Sequence, residues 1–277
     1  QDSMINTMKF WVNKTKIDGF RVDVAWGVPI TFWTRCLTDL KTIRPLFFLA
    51  EADDAPLHNA GFDATYTWRE YNVVKEVAAG KKDVTYLDTI FNTIDTSFMK
   101  GAWRLYFTSN HDENSWNKAD FETMPGIIHA PFAVLALTYN RTMPLIYSGQ
   151  EEPVLRALQF FEKDPIQFNK YERASFYTAL LQLRNSNKAF GEKAQFKRLS
   201  VNNPNAIMAY QRVFENDKVV VVLNLSNKAQ VVQLELNGQA SKYKELFTGK
   251  QFSNIQNSAL PPWGYQVFVK MNEAINR

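Results

Sequence analysis

Cysteine is almost absent. Cys36 stands alone among 277 residues, so no disulfide forms within the chain and nothing in the composition assigns a redox compartment or a localisation. Histidine is scarce as well, and His58 and His129 stand apart, without the spacing of a metal-ligand set. No apolar run approaches the roughly 18 residues of a membrane helix, so no membrane partner is expected. No basic run exceeds Lys81-Lys82. The net charge of +4 and pI near 9.0 therefore read as a solubility feature, with no nucleic-acid partner expected. Short repeats and low-complexity tracts are missing, as are an initiator methionine and a signal-like start. The chain opens at Gln1 inside a helical pattern of Met4, Met8, Trp11 and Val12, which reads as a cut.

What remains is the composition of a soluble globular protein, 45% hydrophobic and 22% charged, long enough for one large domain and one small one. The first part alternates strand-like and helix-like runs. Gly19 opens Phe20-Arg21-Val22-Asp23-Val24, whose period of two puts Arg21 and Asp23 on one face and Phe20 and Val22 on the other. Pro29 then starts a helix with Phe32, Trp33, Cys36, Leu37 and Leu40 on its apolar side. Pro45 to Glu51 reads as a buried parallel strand, Phe62 to Tyr66 as a third strand, and Trp103 to Thr108 as a fourth. Helices are predicted over about 69–78, 84–98 and 126–139, then a fifth strand over Pro144 to Tyr147. A further helix carries Phe176, Leu180, Leu181 and Leu183 inward.

From about Ala189 the pattern changes. Val219-Val221-Leu223, Val232-Leu234-Leu236 and Tyr265-Val267-Val269 alternate at period two, separated by turns at Asn203-Pro204-Asn205, Asn216-Asp217, Asn237-Gly238 and Thr248-Gly249. The expected division is 1–190, an α/β unit with parallel strands, and 191–277, a small antiparallel β domain.

Polar clusters fall at four of the five predicted strand ends: Asp23, Glu51, Asn110 to Asn114, and Gln150 to Glu152. In parallel α/β barrels and sheets, chemistry sits at those carboxyl ends. Asp23, Glu51 and Asp112 follow three different strands and could converge over one mouth. Glycosidic cleavage with retention needs one carboxylate to attack and one carboxylic acid to protonate the leaving oxygen. Crowded like charges help keep such an acid protonated. Arg21 stands where it could hold Asp23 ionised. The bland alternative for Arg21 and Asp23 is a structural ion pair.

Gly19-Phe20-Arg21-Val22-Asp23, Ala50-Glu51-Ala52-Asp53 and Phe107-Thr108-Ser109-Asn110-His111-Asp112 resemble, in order and spacing, three successive signature segments of the α-amylase family of glycoside hydrolases. The resemblance extends through Met143–Glu151, similar to that family's last barrel strand, and into a β-sandwich tail. It implies a partial TIM (β/α)8 barrel, about five of eight strands, followed by a small antiparallel β-sandwich domain. It implies Asp23 as nucleophile, Glu51 as general acid/base and Asp112 as a third carboxylate that grips and distorts the sugar. Arg21 would orient Asp23, and His111 would bind sugar hydroxyls. The implied partner is an α-linked glucan such as starch or a maltooligosaccharide.

The family's first signature and first three strands have no counterpart here. A chain without them would expose two sheet edges, so a missing amino-terminal barrel half or self-association is expected, with little hydrolase activity in isolation. A non-catalytic glucan-binding or interaction protein and an α-glucan transglycosylase are the alternatives. Val24-Ala25-Trp26-Gly27 replaces the Lys-His end common in α-amylases, a residue pair often tied to calcium. No cofactor or metal is therefore expected of this chain, calcium belonging at most to a full-length parent. Trp116, in a polar loop beyond Asp112, is the candidate for stacking on sugar. Trp33, Trp263 and Cys36 read as core, His129 as buried and hydrogen-bonded, Asp53 and Asp54 as turn caps, and Glu151-Glu152 as solvated.

Overall fold

The structure is a computed structural model that describes residues 1–118, 123–236 and 241–271. Its first half is a parallel sheet of five strands in sequential order: β1 (Gly19–Val22), β2 (Phe47–Ala50), β3 (Ala64–Tyr66), β4 (Trp103–Tyr106) and β5 (Thr142–Pro144). All four pairings are parallel, with Gly19 opposite Phe47, Ala50 opposite Thr65, Tyr66 opposite Leu105 and Tyr106 opposite Pro144. Among the described residues, neither β1 nor β5 has a strand on its outer side.

Helices α1 (Asp2–Thr15), α2 (Ile30–Lys41) and α3 (Pro56–Asn59) cover the first strands. The apolar side of α2 is as its spacing predicts: Phe32, Trp33, Cys36, Leu37 and Leu40 are all buried. Each such side chain is worth about 1.5–3 kcal/mol of burial. Phe20 and Val22 turn toward this cluster, and Phe20 stacks on Phe48 at 5.9 Å. In α1 the inward face is Ile5, Met8 and Val12, whereas Met4 and Trp11 are exposed, correcting the expected stripe. Positions 5, 8 and 12 follow a helical repeat that 4 and 11 miss by about one residue, or roughly 100°.

Helices α4 (Trp68–Ala78), α5 (Val84–Ser97), α6 (His129–Thr138) and α7 (Ala174–Ser186) cover β3 to β5. Leu180 and Leu183 of α7 are buried, but Leu181 faces outward. The fifth strand ends three residues earlier than expected, because the Tyr147 N–H donates to the Gln150 side chain at 2.8 Å rather than to a ladder.

The second half is antiparallel: β6 (Gln195–Arg198), β7 (Ile207–Phe214), β8 (Asp217–Asn224), β9 (Gln230–Gln233), β10 (Tyr243–Glu245), β11 (Gln251–Phe252), β12 (Asn257–Leu260) and β13 (Tyr265–Lys270). Six of these form one sheet in the order β11-β10-β13-β8-β7-β6, and β12 pairs with β9 in a second. The predicted turn at Asn237-Gly238 lies outside the described residues. The period of two in β8 is hidden by burial on both faces, since every residue from Val219 to Leu223 is buried. Val219, Val221 and Leu223 join Phe132 and Leu180 in one apolar cluster, while Val220 and Val222 join Val232 and Leu260 in another. Polar staples reinforce the junction between the halves. Arg212 of β7 donates to the Ala189 and Tyr139 carbonyls at 2.7 and 2.5 Å, and Arg198 of β6 forks onto Asp88 of α5 at 2.6 and 2.8 Å.

Candidate active site

Successive parallel strands end side by side, so residues one past β1 and β2 meet at the same end of the sheet. Asp23 and Glu51 occupy those positions. Arg21, inside β1, reaches both: Nη1 donates to Asp23 at 2.6 Å and Nη2 lies 3.0 Å from Glu51 Oε1. Its Nε donates to the Tyr66 hydroxyl at 3.3 Å. Tyr66 was not singled out from the sequence. Its place two residues before Trp68 carries no motif, and only the pairing of β3 brings it beside Arg21.

The backbone is strained at this point. Val24 adopts φ 45° and ψ 44°, a left-handed conformation that a β-branched side chain disfavours by about 1–3 kcal/mol. That conformation aims its N–H at Glu51 Oε2, 3.0 Å away. Glu51 thus takes a guanidinium and a backbone donor, and is mostly buried while Asp23 is 75% exposed. The Asp23 carboxyl is held below the usual aspartate range, first by the hydrogen bond from Arg21, then by one shared with Glu51.

Beyond β4, Asn110 accepts the backbone N–H groups of Asp112 and Glu113 at 3.0 and 2.9 Å, which bends the chain into a single π-helical turn over Glu113–Asn117. His111 and Asp112 lie half-buried on this bend, His111 Nε2 3.4 Å from Asp112 Oδ2. His111 lies within electrostatic reach of Asp23, which links this bend to the first pair. The Tyr147 hydroxyl is pushed up by burial and then by the Asp112 carboxylate. Gln150 ties the two loops, donating to Thr108 at 2.8 Å. Ser109 Oγ and Asn110 Nδ2 are buried with no hydrogen-bond partner among the described residues, an uncommon expense in a native site.

Trp116 lies farther along the same bend, 58% exposed, with Phe160 at 5.0 Å between ring centroids. Glu152 corrects an expectation: it is buried rather than solvated, its carboxylate accepting backbone N–H groups of Asn169, Lys170 and Tyr171. Those bonds hold its pKa down, that from Tyr171 most. Asp53 is structural, accepting from the Arg69 N–H at 2.7 Å and from Arg104 at 2.5 Å. His129 bonds the Tyr177 hydroxyl at 2.6 Å, while Trp33, Trp263 and Cys36 are buried. Val24-Ala25-Trp26-Gly27 offers no side-chain oxygen. Among the described residues no group of three or more His, Cys, Asp or Glu side chains is placed to hold a metal ion. No helix of the described chain is long and apolar enough to cross a membrane.

A family model described as "Maltogenic Amylase, C-terminal domain" matches residues 196–267. The chain is 24% identical over 274 residues to Alpha-amylase 2 of Dictyoglomus thermophilum, covering 91% of this chain and 46% of that one. It is 25% identical over 271 residues to a maltogenic alpha-amylase of Bacillus acidopullulyticus, covering 91% and 44%. This chain is related to the α-amylase family. It shares its fold with a noncanonic maltogenic alpha-amylase, AmyB, of Thermotoga neapolitana, at TM-score 0.80 and 21% identity, over 97% of this chain and 62% of the other. It spans a little under half the length of the two curated relatives.

Proposed function

We propose that this chain carries the catalytic carboxylates of a retaining glycoside hydrolase acting on α-linked glucans such as starch or maltooligosaccharides. The single observation that carries the reading is one guanidinium, Arg21, gripping Asp23 at 2.6 Å and Glu51 at 3.0 Å at the ends of adjacent parallel strands. Asp23, kept ionised, is the nucleophile that attacks the anomeric carbon. Glu51 gives its proton to the leaving oxygen and then takes one from water. A retaining pair works at about 5–5.5 Å, so a sugar seated between the two carboxyls replaces the hydrogen bond they share here. Asp112 and His111 grip hydroxyls of the sugar under attack. Residues 1–190 form five strands of a (β/α)8 barrel, and 191–277 a carboxyl-terminal β-sandwich.

The free outer sides of β1 and β5 support a second element of the reading. In the working protein those edges are closed by further strands, and the chain alone binds glucan with little or no turnover. The test is a single polypeptide in which the amino-terminal half of the Dictyoglomus thermophilum relative precedes Gln1. It is expected to release reducing sugar from maltoheptaose with the anomeric configuration retained, and Glu51→Gln lowers that rate about 10²–10⁴-fold. An unchanged rate in Glu51→Gln overturns the site, and hydrolysis by the 277-residue chain alone, at the rate of the fusion, overturns the need for added strands.

A further inference from the structure

Three large aromatic rings stand exposed together beyond the carboxylates: Trp116, Phe160 and Phe161, the last 83% exposed. Phe160 and Phe161 meet edge to face at 4.9 Å, and Trp116 lies 5.0 Å from Phe160 and 6.4 Å from Phe161. Leaving such a patch in water costs hydrophobic free energy, and a floppy loop would fold these rings inward. The loop is instead pinned from both sides. The buried Asn114 amide donates to the Arg156 carbonyl at 3.1 Å and accepts the Leu158 N–H at 2.9 Å. Arg156 forks onto Asp164 at 2.5 and 2.6 Å, and Asp164 also takes the Gln159 N–H at 3.0 Å. Every one of these bonds fixes the segment that displays Phe160 and Phe161.

The rings are continuous with the candidate site. Asp112 is the residue that leads into the π-helical turn Glu113–Asn117, and Trp116 lies on that same turn. A pyranose has apolar C–H faces that lie well on the negative face of an aromatic ring, and its hydroxyl rim stays in water. From this continuity we infer that Trp116, Phe160 and Phe161 form a stacking platform for glucose units outside the cleavage point, setting a preference for longer α-glucan chains. The inference rests on the α-glucan reading above. Asn114 is a positioning residue for the platform: it touches no sugar and holds the loop to the bend that carries Asp112.

Calorimetric titration of the 277-residue chain with maltotriose and maltoheptaose tests it, with cellohexaose as the control for linkage. The wild-type chain is expected to bind maltoheptaose more tightly than maltotriose. Phe161→Ala and Trp116→Ala each weaken maltoheptaose about three- to tenfold, an aromatic contact being worth about 0.5–1.5 kcal/mol, and change maltotriose less than about twofold. Phe161 is nearly free of packing, so the unfolding midpoint of Phe161→Ala stays at the wild-type value and a loss of binding reports the ring itself. Maltoheptaose affinity unchanged in Phe161→Ala and in Trp116→Ala, while Asp112→Asn weakens maltotriose, overturns the platform and leaves the α-glucan reading standing. A wild-type chain that binds neither malto-oligosaccharide, or binds cellohexaose equally well, overturns both.

Discussion

Arg21 donates to Asp23 and Tyr66 and pairs with Glu51, so a neutral side chain at this position releases three groups together. In Arg21→Leu the Asp23 carboxyl is expected to rise toward its ordinary range, followed by a carboxyl-carbon NMR titration. A lowered folded-state pKa means that this contact favours the fold above the ordinary aspartate range and is lost as pH falls through the lowered value. His58 gives a second pH signature. Burial, and then the nearby Arg104 charge, push its imidazole down from 6.5 to about 4. Between those values the unfolded chain takes up a proton that the folded chain refuses, so stability falls as pH drops through this window, by on the order of 2 kcal/mol. Thermal unfolding between pH 7 and pH 4.5 measures it, and His58→Gln flattens the profile. Glu70 is the costliest of these side chains to lose: fully buried in α4, it accepts from Arg104 at 3.0 Å through both carboxylate oxygens. Glu70→Ala leaves Asp53, 2.5 Å from Arg104, to balance that buried guanidinium by itself, and is expected to cost about 3 kcal/mol in urea unfolding.

At the scale of elements, β1 lies close against β2 because Gly19 has no side chain. A Cβ there would fall inside the Phe47 carbonyl, a backbone group that cannot swing away. Gly19→Ala therefore overpacks the strand pair that seats Asp23 beside Glu51, at a cost of about 2–3 kcal/mol, visible as a lower urea midpoint with an unchanged slope. The glycine at the start of the first motif is thus a demand of strand approach, while Arg21 and Asp23 in the same motif form the ion pair at the strand's carboxyl end. The Glu152 carboxylate, collecting three successive N–H groups, organises the stretch from Asn169 to Tyr171 in the same way that Asp164 organises the stretch from Arg156 to Gln159. Asp164 is held at about 2, chiefly by the Arg156 fork and then by the Gln159 N–H, so that clamp persists through ordinary acid conditions.

For the molecule as a whole, the five parallel strands form an open sheet with apolar side chains at the uncovered places. Phe47 of β2 is 38% exposed, and Phe10 and Trp11 of α1 lie edge to face on the outer surface at 5.6 Å. Open strand edges and exposed rings drive association. Sedimentation of the purified 277-residue chain is expected to show species heavier than the 32.0 kDa monomer, diminishing when the fusion described above supplies further strands. A clean monomer across the concentration range counts against that expectation.

By itself the sequence determined the alternation of strands and helices, the apolar side of α2, the three motif segments and the change to antiparallel pattern after Ala189. Each of these depends on residues near one another in the chain, where period and turn chemistry are legible. Helix α1 was misread by one position, because two candidate stripes differ by a single residue and the neighbour that selects between them is distant in sequence. The double burial of Val219 to Leu223 and the inward Glu152 escaped for the same reason, since a carboxylate reads as solvated until the N–H groups that surround it are known. Only the tertiary structure decided that Tyr66 stands beside Arg21, that Val24 is strained toward Glu51, and that Asn114 presents Phe160 and Phe161 next to Trp116. Those are contacts across tens of residues, and which partner a side chain meets there is fixed by strand register and packing rather than by its neighbours in the chain.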